Sequence, residues 1–139
     1  MSLAATTSIK IRIIERVKSI LGEGKYLDSP PLLEAQDCVP FCCVVGSNSP
    51  SIYMQKTHGV FEIKVPIVLD LFVQGKKQPE IDKLVEDVLS AVLVDRSLEG
   101  LLHNLEIQRT EVRSFDSAKK IFVLMFDLEA SYYKEIPSV

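Results

Sequence analysis

The chain has 139 residues, 47% hydrophobic and 25% charged, with a formal net charge of −3. This fits one domain with its own core and argues against disorder, and so mild a charge gives no general attraction for nucleic acid or anionic lipid. No run approaches the ~20 apolar residues of a membrane span, charges interrupt any signal-peptide core near the N-terminus, and three cysteines in a chain that needs no staples point to a reduced, cytoplasmic protein.

Residues 1–7 are small and polar and read as a loose end, with Thr7 or Ser8 placed to cap a helix. Ile9, Ile13, Ile14, Val17, Ile20 and Leu21 then share one face at helical spacing, and Lys10, Arg12, Glu15, Arg16 and Lys18 cover the rest. The run is rich in β-branched residues, so this helix over 9–21 depends on burial more than on propensity. Its stripe is no wider than a core face requires, which argues against an amphipathic membrane helix. Gly22 or Gly24 ends it. Residues 25–35 read as a loop, because Asp28-Ser29-Pro30-Pro31 breaks regular structure. The apolar run 38–45 predicts a strand and 46–51 a turn. A short strand over 52–54 and a turn over 55–59 follow, so that 46–59 is the expected protruding feature.

The next stretch organises the chain. Phe61, Ile63, Val65, Ile67, Leu69, Leu71 and Val73 alternate without a break and predict a long strand over 60–73. Gln74-Gly75-Lys76-Lys77-Gln78 stops it, and Pro79 stands at the expected first helical position. Ile81, Leu84, Val85, Val88, Leu89, Val92 and Leu93 form an apolar stripe over 79–94. Asp95-Arg96-Ser97-Leu98-Glu99-Gly100-Leu101 is a compact break. A strand over 105–113 follows, apolar at Leu105 and Ile107 and charged towards Arg109 and Arg113. A short connection leads to the last strand, 119–133, which should pair antiparallel with it. Phe122, Leu124, Phe126, Leu128, Ala130 and Tyr132 lie on one of its faces, and residues 134–139 read as an exposed tail.

Two helical stripes and a sheet with one continuous apolar face predict a single α+β domain over 1–139 with loose ends at about 1–7 and 134–139. It would have two layers: a mixed, mostly antiparallel sheet of about four to five strands, with both helices packed on one face.

Chemistry is sparse. Cys38, Cys42 and Cys43 lack the paired spacing and second ligand cluster of a zinc site and read as core residues of a strand. His58 in a turn and His103 before a strand stand near no nucleophile or metal signature. Asp70, Asp127 and Glu129 could cluster if their strands are neighbours, which reads more simply as a solvated or interface face. No glycine-rich phosphate loop follows a strand, and the scattered lysines lack interleaved aromatics. No catalytic residue, cofactor or metal site is expected, and neither nucleic-acid recognition nor membrane binding.

The second face of the sheet is only half polar. Val60, Val68 and Phe72 on the long strand, with Ile121, Val123 and Met125 on the last, lie opposite the expected helical layer. If the last strand buries its Ile121 face instead, Phe122 and Phe126 turn outward and the argument is unchanged. A broad apolar patch of this kind implies a partner, hence an oligomer or assembly component.

The pattern resembles the tail terminator (minor tail protein U-like, tail completion) family of long-tailed bacteriophages. The resemblance is carried by the helix IKIRIIERVKSIL, the strand FEIKVPIVLDLFV, the helix PEIDKLVEDVLSAVL with DRSLEGL directly after it, and the closing strands LEIQRTEV and IFVLMFDLEASYY. It runs from Ile9 to Tyr133, and members more often carry a second glycine where this chain has Glu99. It implies a homo-oligomeric, hexameric ring that caps the tail tube protein, ends tail elongation and offers a surface to the head–tail connector protein. Such a protein resides in the virion tail, and in the host cytoplasm during assembly; a prophage gene would explain an intracellular, disulfide-free chain. The alternatives are another neck, head-closure or baseplate-associated protein, or a small α+β enzyme or ligand-binding domain. Expected oligomer or tail contacts are Val68 and Phe72 on the uncovered face, His58 in the 46–59 feature, Arg109 and Arg113 on the charged strand, and Arg96. The last follows a helix C-terminus, where a cation is favoured and could anchor against Asp95 or a neighbouring subunit.

Overall fold

The apolar alternation over 60–73 becomes the central strand of the sheet. The computed structural model describes residues 2–22, 24–27, 41–47 and 50–136. In order, these form α1 (Ser2–Leu21), β1 (Lys25–Leu27), β2 (Phe41–Ser47), β3 (Ile52–Thr57), β4 (Val60–Gln74), α2 (Gln78–Leu93), β5 (Asn104–Asp116) and β6 (Ile121–Glu135). The path through the sheet is β1-β2-β4-β6-β5, with β3 also paired to β4; β1 and β2 are parallel and every other pair is antiparallel. The structure is thus the expected α+β fold, with six strands once the three-residue β1 is counted.

β4 pairs with β6 along its whole length, from Val60↔Glu135 to Gln74↔Ile121. Its other edge is shared end to end, by β2 over 67–73 and by β3 over 60–64. The odd residues of β4 from Ile63 to Val73 are at most 2% exposed, because Ile9, Ile13 and Val17 of α1 and Ile81, Val88 and Val92 of α2 pack with them in one cluster. Leu124, Phe126, Leu128 and Ala130 bring the expected face of β6 to the same core. The helices touch each other as well as the sheet, so the β-branched α1 is held by tertiary burial.

Several boundaries differ from those expected. Helix α1 begins at Ser2, so Thr7 and Ser8 lie inside it and cap nothing. Lys134 and Glu135, expected in a loose tail, are in β6 opposite Phe61 and Val60. Lys25–Leu27, expected in a loop, forms β1 beside Cys42–Val44, and Tyr26 packs edge-on against Phe41 at 5.6 Å. Pro79 occupies the second helical position after the N-cap Lys77, whose amide donates to Glu80 Oε1 at 3.1 Å. Proline costs nothing there, since first-turn amides have no intrahelical acceptor. The strand expected over 38–45 is present from Phe41, while Cys38 and most of the loop expected over 25–35 lie outside the described residues.

The turn after α2 is the tightest piece of chain. Leu98, Glu99 and Gly100 are successively left-handed, with φ of 47°, 63° and 85°. Only glycine adopts this region without steric cost, so the position where the resembled family carries a second glycine is one whose backbone favours it. Asp95 holds the turn: its carboxylate accepts from Ser97 N (3.0 Å), Ser97 Oγ (2.6 Å) and Glu99 N (2.9 Å). Leu98 is thereby placed, fully buried, under the helices.

Candidate functional site

The even residues of β4 and odd residues of β6 form the outer face, which none of the described helices covers. It divides into three zones along the strands.

At the Gln74 end the face carries a small core of its own. Cys42 and Val44 of β2, Phe72 of β4 and Val123 of β6 are each at most 9% exposed, and Met125 packs against them. Phe115, near the end of β5, meets Phe72 edge-on, with ring centroids 5.0 Å apart and planes at 80°. The sheet therefore buries part of this face by itself. Phe72, expected as a free contact, has little surface left for a neighbour. Val68 is half-buried between Gly46 and Asp127 in register, at the border of the zone.

The middle of the face is charged. Asp70 lies between Val44 and Met125, and its pKa is raised by burial first and by the charge of Asp127 second. Lys64 Nζ stands 3.9 Å from Glu129. On β5, Glu111 is shared by the Arg113 Nε (3.0 Å) and Arg109 Nη2 (2.8 Å), and the Arg113 hydrogen bond leads in holding its carboxyl below the usual range. The structure thus brings Arg109 and Arg113 together on one carboxylate, both well exposed on an edge strand.

The third zone is an arm made by β3, residues 60–64 of β4 and the end of β6. All six β3 residues are exposed. Strands β3 and β4 are joined by a two-residue turn, His58-Gly59, where Gly59 supplies the positive φ (79°) that a tight turn needs. The exposed His58 lines an open cleft of about 240 Å³ with Gly59, Val60 and Glu135. His103 lies against the Tyr133 ring instead, 4.7 Å between centroids. The cleft offers one imidazole and one carboxylate facing solvent, without the enclosed convergence of groups that general acid–base work needs. Among the described residues no group of three or more histidines, cysteines and carboxylates could hold a metal ion. Cys42 and Cys43 are fully buried, and burial pushes the Cys43 thiol up to about 12. That makes them core residues rather than nucleophiles or ligands.

Arg96 sits apart from these zones. Its Nη1 reaches the Leu105 carbonyl at 3.4 Å, tying the turn to the start of β5. The partner of Asp95 is instead Arg16 of α1, through Asp95 O (3.2 Å) and Oδ2 (3.4 Å), and Arg12 pairs with Glu99 at 2.8 Å. Of the two anchors expected for Arg96, Asp95 or a neighbouring subunit, the first is not the one it reaches within the chain. Asp95 projects towards α1, where Arg16, distant in sequence, adds to the hydrogen bonds it accepts from Ser97 and Glu99. Sequence reasoning also passed over the exposed triple Ile52, Tyr53 and Met54; three successive apolar residues in a strand necessarily put apolar groups on both faces.

The comparisons with known proteins stand beside this geometry. No protein-family model matches the chain, and no curated protein matches it. A chain of the solved structure described as the virion of native gene transfer agent (GTA) particle matches with a TM-score of 0.51 at 10% identity, over 90% of this chain and 94% of that one. At that identity the likeness is one of fold, and it runs nearly end to end: this α+β fold is similar to that of a chain in a virion.

Proposed function

We propose that the protein is a structural component of a virion, and specifically a tail terminator: a subunit of a hexameric ring that caps the tail tube, ends its elongation and receives the head connector. The observation that carries this reading is the end-to-end fold likeness to a chain of a gene transfer agent virion. The sequence resemblance to tail terminators supports the finer role. The large mixed outer face fits a protein that works through contacts. Arg109, Arg113, Val68 and His58 remain candidate contacts on the exposed parts of that face and arm, and Arg96 beside the turn.

Native mass spectrometry and electron microscopy at high protein concentration, with and without purified tails, test the proposal. The expected outcome is a hexameric ring, free or seated on the head-proximal end of the tail. A protein that stays monomeric and fails to bind tails would refute it. The same fold suits a neck or head-closure protein, and particles made without the protein separate the two roles. Headless tails of uncontrolled length point to a terminator, and tails of normal length to head closure.

A further inference from the structure

The sheet ends on edges of different character. Strand β5 is long but guarded: its register shifts at Ile107/Arg109 and again at Ser114/Asp116, and Arg109, Glu111 and Arg113 stand along it. Charges and bulges on an edge discourage pairing with another chain. Strand β3 is less guarded: its one charge, Lys56, stands beside the turn and pairs with Glu62 of β4 at 3.3 Å. It pairs in register from Ile52↔Lys64 to Gln55↔Phe61, shifting only beside the turn, and among the described residues pairs with β4 alone. Ile52, Tyr53 and Met54 are 53%, 47% and 40% exposed.

Across the same arm a second edge is open. The pairing of β5 with β6 starts at Asn104↔Ser131, and the His103 amide donates to the Ser131 carbonyl at 2.7 Å. Beyond that, residues 132–135 of β6 have β4 on one side and, among the described residues, no strand on the other. Tyr133 and Ile136 are 49% and 37% exposed there. Among the described residues one chain thus carries two strand edges without a neighbouring strand, on opposite sides of one three-stranded arm, with Lys56 on the first and Lys134 and Glu135 at the far end of the second.

We propose that β3 of one copy adds as a strand to the 132–135 edge of β6 in the next copy, joining subunits head to tail through a shared sheet. A second copy is the occupant because the chain supplies both halves of the contact. Both β3 and β6 run antiparallel to β4, so they are parallel to each other. Copies related by rotation about an axis along the strands therefore present β3 to β6 in parallel pairing. Met54, Glu62 and Tyr133 lie in one row across the arm, so a repeat without stagger sets Tyr133 of one copy beside Met54 of the next. Backbone pairing would provide the affinity and the apolar side chains the register. The contact is heterologous, and it ends in a ring only if the rotation closes. This inference rests on the ring reading above and names the strands that make the ring. A ladder this short buries less than a standard interface, so association should depend steeply on concentration.

The test uses two full-length variants, Met54→Cys and Tyr133→Cys, each exposed in the single chain and each made with Cys38→Ser, with a short bifunctional maleimide; the protein carrying Cys38→Ser alone supplies the background, its Cys42 and Cys43 being buried. The expected result is an intersubunit link in the mixture and none above background in either variant alone. Met54→Lys should weaken self-association about tenfold or more with thermal stability retained. Hexamers that form normally with Met54→Lys and give no link in the mixture would overturn the strand pairing and leave the ring reading standing. Links of equal strength in either variant alone would overturn it too, as a symmetric or random contact. An unsubstituted protein that neither oligomerises nor binds tails would overturn both.

Discussion

Replacing Phe72 by alanine decides whether the outer face carries a core of its own. Phe72 is 9% exposed and packs with Cys42, Val44, Val123 and Met125, with Phe115 edge-on at 5.0 Å. Truncation removes roughly 100 Å² of buried apolar surface, worth about 2.5 kcal/mol at ~25 cal/mol per Å². The aromatic pair adds about 1 kcal/mol. The cluster borders solvent and can relax or admit water, so the cavity penalty of a deep core is mostly absent. The sum is about 3.5 kcal/mol, or a fall in Tm of roughly 12 °C for a chain of this size. Phe115 is already 45% exposed, and Phe115→Ala should cost about 1 kcal/mol. In the double variant the losses should fall short of additive by about 1 kcal/mol, the worth of the ring pair. Urea unfolding at concentrations too low for association measures all three. A loss below 1 kcal/mol for Phe72→Ala, together with failed assembly, would refute the reasoning and return Phe72 to the role of a free contact.

Four further outcomes follow from the same structure. Hydrogen bonds from Ser97 and the Glu99 amide hold the Asp95 carboxyl well below its usual range, so its contribution to stability is present above the unfolded pKa and lost as pH falls through the folded one; urea midpoints between neutral and strongly acidic pH should show this, and Asp95→Asn should flatten it. Asp70 has the opposite sign: burial and Asp127 raise its pKa, so stability present below the unfolded pKa is lost as pH rises through the folded one, and Asp70→Asn should stabilise at neutral pH with the gain gone in acid. Cys42 and Cys43 should react with a thiol reagent only on unfolding, and native mass under metal-preserving conditions should show no bound zinc; a stoichiometric zinc that survives dialysis would reopen a ligand role for the cysteines. Arg16→Ala, which frees the Asp95 carbonyl and carboxylate, should cost about 1 kcal/mol in urea unfolding, whereas Arg96→Glu should leave the fold intact and weaken assembly in native mass spectra.

The parts of the fold legible in the sequence are those where burial writes a period. The odd residues from Ile63 to Val73 and the stripe from Ile81 to Val92 each report one neighbour, the core, and both elements fall within a residue or two of their expected limits. β1 was illegible because three residues hold no period, and Lys25–Leu27 is a strand only by virtue of lying beside Cys42–Val44. The start of α1 was illegible for a related reason: Ser2–Thr7 has no apolar stripe, and the helix simply continues from the packed turns that follow. Phe72 shows the limit of face assignment. Its parity placed it correctly away from the helices, but parity does not say that Val44, Val123 and a bulged Phe115 close over it.

The candidate interface is harder to read than the core for a reason that goes beyond missing contacts. Alternation distinguishes the two faces of a strand; it carries no information about the two edges, because backbone amides and carbonyls are the same whatever the side chain. Whether an edge is open depends on how far each strand outruns its neighbour. Here β6 outruns β5 past Ser131 and β4 outruns β2 past Ile67, and the space beside β4 is filled by β3, whose own outer edge is left over. Those overhangs are set by register, and register is a property of pairs of strands. What the sequence does carry is how each edge is protected once its position is known. Arg109, Glu111 and Arg113 mark β5 as an edge meant to stay unpaired, and Ile52-Tyr53-Met54 lacks any such mark. On the proposed reading, that asymmetry is what lets a subunit join its neighbours in one direction and stop.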